Sequence, residues 1–432
     1  MLLLEAPKKK IVNDASWAVK RVTDLDIQVV TRKTLTELGD LSGILVERFA
    51  IEDQEGQEYL HLFCEHCHKI AICPHCGKIV TGGSDDKERS VRDLDIWGKR
   101  SIIHFSQRRF ECTECNKPFT ELLDWIDPKR RQTLRFEQFI YECIHKKKMS
   151  RKQVALQEGL HEETVLGIFK RWAKRSVRRS KRRRVRVLGI DEIYLGHKEY
   201  ALILSDIERR RVIDVLPNRL KATLEKWLDE LSKEERRAIK VVSMDMWKAY
   251  RQAVRSKLSH ASIVADRFHV MKQLNHQLDL LRRNLRKNGD DALAELLKNS
   301  RWILLSNRCD LKPEDEAKLL HILDASDELR TVYLLKEEFR TLCDKIKDRD
   351  RAKRFLKAWL WRAEISTSRY LKRFAKTLRN WWHEFLNYFV GGVTQGFVEG
   401  SNRAIRGIIN RAYGFHKFEH FRLHVLVECG GT

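Results

Sequence analysis

Val185-Arg-Val-Leu-Gly-Ile-Asp-Glu-Ile-Tyr194 is a short apolar run that ends on a carboxylate, Asp191. β-Branched and alternating residues predict a strand here. An Asp at a strand tip points out of a sheet toward a metal or a substrate. The same residue also serves turns and helix caps, so its meaning depends on the residues downstream of it.

The downstream segments are ordered. Residues 200–205 and 211–216 read as strands, and 220–231 as an amphipathic helix. Lys240-Val-Val-Ser-Met-Asp245 is a strand that again ends on a carboxylate, and 246–257 is helical. Ser262-Ile-Val-Ala-Asp266 is a further strand with an Asp at its end. Three hairpin-like strands, a helix, a strand, a helix and a strand is the order of an RNase H-like core. The first and fourth strands lie side by side in that fold, so Asp191 and Asp245 are expected at neighbouring strand ends. Two such carboxylates repel one another unless cations lie between them. Mg²⁺ or Mn²⁺ is the expected occupant, as two ions roughly 3.5–4 Å apart. Asp266 reads either as a further metal ligand or as the N-cap of the helix after it.

Composition bounds the partners. The chain has 432 residues, 42% of them hydrophobic, enough for two or three domains and a large core. A formal charge of +24 predicts a polyanionic partner, with nucleic acid foremost. The charge is clustered: from Lys170 to Arg186 there are eleven basic residues and no acidic one. The N-terminal stretch does not read as a signal peptide, and no apolar run suffices to span a bilayer, so a cytosolic, nucleoid-associated protein with no membrane partner is expected. Six of the ten cysteines form three C-x2-C pairs, a metal-binding pattern typical of a reducing compartment.

Cys73-Pro-His-Cys76 and Cys112-Thr-Glu-Cys115 are separated by segments that read as strands. Two thiolates from one tight knuckle fill two corners of a tetrahedron, so the doubled knuckle predicts a structural Zn²⁺ on Cys73, Cys76, Cys112 and Cys115. Cys64 and Cys67, like His66, His68 and His75, offer alternative ligands, but the pair reads first as the end of the preceding strand, because the other two knuckles already fill four positions. Upstream, 44–51 and 58–63 read as strands around a polar turn at 52–56, and 34–41 looks helical.

Residues 133–175 read as three helices. Ser150 caps a short one at 151–158, Gly159-Leu160-His161 turns the chain, and 162–174 is a longer basic helix. This is a helix-turn-helix pattern. The basic run after it supplies phosphate contacts without reading bases, although composition alone also fits a nuclear-localisation run. The phosphate-contact candidates are Lys170, Arg171, Lys174, Arg175, Arg178, Arg179, Lys181, Arg182, Arg183 and Arg184.

Residues 270–389 are almost wholly helical in pattern and rich in Trp, and are expected to be an insertion whose aromatic residues form mainly its own core. Val398-Glu-Gly-Ser-Asn402 then opens a last helical segment, and Glu399 is the natural third carboxylate. Arg267 and His269 read as facing phosphate or the scissile region, and Asn402 and Arg403, one helical turn after Glu399, as holding DNA or orienting the carboxylate.

Several stretches resemble the ISL-three (ISL3) family of bacterial insertion-sequence transposases. They are Cys73-Pro-His-Cys-Gly77, Val91-Arg-Asp-Leu94, Arg108-Arg-Phe-Glu-Cys112, Gly189-Ile-Asp-Glu192, Ala265-Asp-Arg-Phe-His269, Val398-Glu-Gly-Ser-Asn402, Arg411-Ala-Tyr-Gly-Phe415 and Phe418-Glu-His-Phe-Arg422. The resemblance spans about 44–427. It implies a DDE triad of Asp191, Asp245 and Glu399 and zinc ligands at Cys73, Cys76, Cys112 and Cys115. The family's Thr-Asn-Gly ahead of the Glu is Thr394-Gln395-Gly396 here.

The expected protein is α+β and helix-rich. A β-rich zinc-binding module (1–125) and a helix-turn-helix with a basic linker (126–180) precede an RNase H-like core (181–270 and 391–432) interrupted by a helical insertion (271–390). The expected activity is DNA transposition by a two-metal DDE mechanism, on double-stranded terminal inverted repeats and target DNA, by a homodimer or larger assembly. The rivals are a catalytically inactive or domesticated DNA-binding regulator derived from a transposase, and a structured-RNA nuclease.

Overall fold

Alternating apolar residues and tight turns account for the N-terminal half. The computed structural model describes residues 10–12, 34–37, 39, 41–82, 85–180, 184–196, 199–391 and 396–431, which form two compact units, 1–172 and 173–432. In the first unit the strands are β1 (Lys10–Val12), β2 (Ile44–Gln54), β3 (Gln57–His66), β4 (Ile70–Ile72), β5 (Ile79–Thr81), β6 (Asp85–Arg92), β7 (Arg100–Glu111) and β8 (Pro118–Thr120). One sheet runs β1-β2-β3-β7-β6 with β8 on β7, while β4 and β5 form a separate hairpin. The polar turn is tighter than expected: Gln54 pairs with Gln57, leaving Glu55 and Gly56, both at positive φ. Two positive-φ residues match the right-handed twist of the flanking strands. Ile44, Val46, Leu60, Leu62, Val91, Ile103 and Phe105 bury one face, joined by Leu35, Trp125 and Ile126.

Three helices come next: α1 (Leu134–His145), α2 (Arg151–Glu158) and α3 (Glu162–Ser180). Ser150 closes a capping box with Gln153, and Gly159 takes the left-handed conformation that ends α2. The pattern expected at 151–174 is therefore present, but α3 runs further, to Ser180, so the basic stretch begins as helix rather than linker. Arg171 does not stand free. It pairs with the buried Glu137 of α1, which also accepts from Trp172 Nε1 at 3.1 Å.

The second unit is built on a five-stranded sheet: β9 (Val187–Gly196), β10 (Glu199–Asp206), β11 (Arg211–Leu216), β12 (Val241–Met244) and β13 (Ser262–Ala265). Their order is β11-β10-β9-β12-β13; β10 is antiparallel to its neighbours, while β9, β12 and β13 run parallel. β9 does not end at Asp191, because its hairpin with β10 holds it extended as far as Gly196. Helices α4 (Lys221–Glu230), α5 (Lys233–Ala238) and α6 (Lys248–Lys257) lie between β11 and β13 in sequence. Leu224, Leu228, Tyr250, Ala253 and Val254 of α4 and α6 share a core with Leu188, Ile190, Val242 and Met244 of the sheet.

From β13 the chain enters α7 (Arg267–Asn288), α8 (Asp291–Leu296), α9 (Arg301–Leu305), α10 (Pro313–Asp324), α11 (Asp327–Lys345), α12 (Arg349–Ile365), α13 (Arg369–Asn380) and α14 (Trp382–Gly391). Trp359 and Trp381 are buried in this segment, with Phe339, Phe374 and Phe385 packed around Trp359 and one another. Trp302 and Trp361 instead are exposed. The helical residues and the sheet form one continuous hydrophobic cluster, and Asn387 of α14 donates to the Ile263 carbonyl of β13 at 2.9 Å. Helices α15 (Gly396–Arg411) and α16 (Phe418–Cys429) return to the sheet. No helix among the described residues is long and apolar enough to cross a membrane.

Glu137 is buried and pairs with Arg171, whose side chain stays partly exposed. Glu137→Ala is therefore expected to destabilise the N-terminal unit by about 2 kcal/mol, since it removes that pair and leaves Trp172 Nε1 without its acceptor. Thermal unfolding of the full chain checks this, with Glu137→Gln intermediate.

Candidate metal centres

Two groups of side chains have the donors and spacing of metal sites. The first unites Cys73, Cys76, Cys112 and Cys115, whose sulfurs all lie within 4.8 Å of one another. Each pair comes from a knuckle between two antiparallel strands, β4 and β5 for the first and β7 and β8 for the second. Cys73 N donates to Lys78 O and Gly77 N to Cys73 O; Cys112 N donates to Lys117 O and Asn116 N to Cys112 O. Gly77 and Asn116 both sit at positive φ, so the two knuckles repeat one geometry. The Cys73–Cys115 and Cys76–Cys112 sulfurs are 3.7 and 3.5 Å apart. A tetrahedron with Zn–S bonds of about 2.3 Å has edges of about 3.8 Å, so the set fits zinc. Backbone N–H groups of Cys115 and Glu114 pull the Cys112 thiol down to about 6, favouring the thiolate. Cys64 and Cys67 lie outside this group. Cys64 is within β3, and burial pushes its thiol up to about 12.

The second group is set by strand register. Ile190 of β9 pairs with Met244 of β12, which pairs with Ala265 of β13. The next residues are Asp191, Asp245 and Asp266, so three carboxylates stand abreast, Asp245 and Asp266 just past the ends of β12 and β13 and Asp191 within β9, where its parallel pairing with β12 stops. Sheets of this kind bind ligands at that edge. Asp266 also caps α7, accepting from Phe268 N at 3.2 Å. One turn into α7, His269 Nε2 lies 2.7 Å from Asp245 Oδ1, 3.6 Å from Asp266 Oδ2 and 3.9 Å from Asp191 Oδ1. Asp191, Asp245 and His269 form the tight ligand group, with donor atoms within 4.8 Å.

Burial and the Asp245 charge raise the Asp191 pKa, and burial raises Asp266 to about 6. Burial opposes a charge on His269, yet the hydrogen bond and charge of Asp245, joined by Asp191 and Asp266, hold its pKa above the ordinary value. Without a cation the row is thus electrostatically frustrated.

Helix α15 supplies the other wall. Asn402 Nδ2 donates to Asp191 Oδ2 at 2.5 Å, while its Oδ1 has no partner among the described residues. Glu399 is exposed and outside the tight group, but lines the same open cavity of about 1070 Å³ as Asp191, Asp266, His269 and Asn402. Lys272, Arg301, Trp302 and Arg406 also line it. Arg267 is held by Asp344, and Arg403 is exposed on α15. Lys170, Lys174 and Arg175 lie on α3, and Arg184 is exposed. Lys181, Arg182, Arg183, Thr394 and Gln395, with the side chains of Arg178 and Arg179, lie outside the described residues.

A family model for a transposase matches residues 188–425, one for the zinc-finger of transposase IS204/IS1001/IS1096/IS1165 matches 70–115, and one for the helix-turn-helix domain of transposase family ISL3 matches 121–173. The chain is 30% identical over 411 residues to the transposase for insertion sequence element IS1001 of Bordetella parapertussis, spanning 94% of this chain and 100% of that protein. The chain belongs to transposase family ISL3. Transposases for element IS1557 from two Mycobacterium tuberculosis strains are 29% identical over 268 residues, which is 56% of this chain and 60% of theirs. Within the ISL3 transposase, the zinc-finger match contains both knuckles, the helix-turn-helix match contains α1 and α2, and the transposase match contains the carboxylate row and α15.

Sequence alone has His269 face phosphate or the scissile region and does not name it as a neighbour of the aspartates. The signal that does so is spacing: three residues after a helix cap, a side chain returns over the cap. Glu192 is a further site neighbour that sequence reasoning passes over. On the opposite strand face, it accepts from Tyr250 Oη at 2.6 Å and Arg219 Nη1 at 3.2 Å.

Purified ISL3 transposase is expected to carry one zinc per chain, measured by elemental analysis. Cys112→Ser should release it and unfold the region around 70–120, because structural zinc binding contributes about 10–16 kcal/mol to folding in small zinc modules. Protein purified without zinc would contradict the four-sulfur centre.

Proposed function

We propose that the chain is a DDE transposase with an RNase H-like core. It cuts DNA strands at terminal inverted repeats and joins the freed 3′-hydroxyl to target DNA. The observation that carries this reading is the register-locked pair of Asp191 and Asp245, with Glu399 on the cavity that Asp191 lines, in a chain of this family. The sheet order, with β10 alone antiparallel, supports the RNase H-like assignment.

In this reading Asp191, Asp245 and Glu399 hold Mg²⁺ or Mn²⁺, and Asp266 stands beside them. The chemistry such ions supply is Lewis-acid activation of the attacking and leaving oxygens. Asn402 fixes the Asp191 carboxylate through its amide. Lys272 and Arg406 line the cavity with no ion pair among the described residues and would meet DNA phosphates. Lys170, Lys174, Arg175, Arg178 and Arg179 on α3, with Lys181–Arg184, Arg403 and the zinc module, would hold the inverted repeats by phosphate contact. Arg171 and Arg267, tied to Glu137 and Asp344, serve structure first. Joining two ends calls for a homodimer or larger assembly on DNA, and a bacterial cytoplasmic, nucleoid-associated location suits that substrate.

Alanine at Asp191, Asp245 or Glu399 is expected to abolish Mg²⁺-dependent cleavage of labelled end DNA while leaving end binding unchanged in gel shift. Asn402→Ala should cost about 10–100-fold, as loss of an outer-shell partner does. Cleavage persisting in Asp245→Ala would overturn the assignment and favour a non-catalytic binding role for the site.

A further inference from the structure

We infer that His269 is a direct ligand of the divalent ion held by Asp191 and Asp245, so that the primary metal site has a mixed carboxylate–imidazole donor set. This rests on the metal-dependent function proposed for the site and deepens it.

The geometry is specific. His269 Nε2 faces Asp245, Asp266 and Asp191 at 2.7, 3.6 and 3.9 Å. An octahedral ion with bonds of about 2.1 Å has adjacent donors about 3 Å apart. Nε2 and the Asp245 oxygen therefore stand as neighbouring ligands already. The ring is held there by the fold. Asp266 ends β13 and caps α7, and the first helical turn brings position 269 back over the strand ends. Phe268 packs edge-on against the imidazole, with ring centroids 5.3 Å apart.

A phosphate contact explains this position poorly. A phosphate reaching Nε2 would also meet the carboxylates of Asp191, Asp245 and Asp266, whereas a cation relieves their repulsion and uses the nitrogen lone pair. An independent observation points to the same spot. Asn402 is only 8% exposed and lines the cavity, yet its Oδ1 has no partner among the described residues. That oxygen is an acceptor ready for a water on a bound ion. An imidazole in the donor set moves preference from Mg²⁺ toward Mn²⁺ and other transition ions.

The test is pulsed electron paramagnetic resonance of Mn²⁺ added to the zinc-loaded full chain without DNA. A directly bound imidazole gives a ¹⁴N coupling that becomes a ¹⁵N coupling in protein labelled with [¹⁵N]histidine. We expect that coupling in the wild type and its loss in His269→Ala. Mn²⁺ affinity should fall about 10–100-fold in that variant, with a smaller change for Mg²⁺. If His269→Ala fails to fold, the labelled wild type still answers, since absence of a nitrogen coupling overturns the proposal. A coupling that persists in folded His269→Ala overturns it too. Asp245→Ala separates the levels. Loss of Mn²⁺ there, with no nitrogen coupling in the wild type, removes only the His269 ligand; Mn²⁺ binding unchanged there removes the metal site itself.

Discussion

The parallel ladder β9–β12–β13 is the constraint on which the candidate site depends. In a parallel pair, register fixes which residues stand abreast. Here Ile190, Met244 and Ala265 are abreast, so the next step along each strand delivers Asp191, Asp245 and Asp266 together. No loop has to be ordered to make this row, and a one-residue slip of any strand would turn its side chains to the other face and dissolve it. The apolar core on the far face, with Leu188, Ile190, Val242 and Met244, holds the register. Hydrophobic burial thus supports a cluster of like charges that would not assemble alone.

The second requirement is that α15 return to β9 after the helical segment. Two features permit it. The helical segment shares its core with the sheet, with α14 against β13, so the chain emerges beside the strands it must rejoin. Val398 of α15 then seats over Gly189 of β9: a Cβ added at 189 would crowd Ile207 Cγ1 at 3.0 Å and meet Val398 Cγ2 at 3.4 Å, an ordinary contact. Asn402, one turn later, reaches Asp191. Glu399, exposed on that turn, lines the cavity with Asp191 and Asp266 but lies outside the tight ligand group. Mutual repulsion gives it no reason to approach them without a cation.

Much of this is legible in the sequence because local signals agree with the tertiary outcome. Ser150 and Gly159 bound α2 where capping chemistry says they should. The doubled Cys-x-x-Cys knuckles assemble because Gly77 and Asn116 admit the needed turn. The carboxylates at 245 and 266 can be read from strand ends, and Asp191 from the apolar run that precedes it. The illegible parts depend on pairing. The length of β9 past Asp191 comes from its β10 partner, and the extension of α3 through a basic run overrides the appearance of a linker. His269, two residues after Arg267 in a basic protein, reads as facing phosphate or the scissile region; only the register that brings Asp245 within 2.7 Å of it reveals the carboxylate neighbours. Arg171 and Arg267 read as DNA-facing cations because a charge run does not tell which members have carboxylates opposite them.

The central claim is that the carboxylate row is a divalent-cation centre. Anomalous diffraction from crystals of the full chain grown with Mn²⁺ tests it most directly. The predicted result is manganese density between the carboxylates of Asp191 and Asp245, and separate zinc density among Cys73, Cys76, Cys112 and Cys115. Well-ordered aspartates with no manganese between them, or manganese bound only elsewhere, would contradict it.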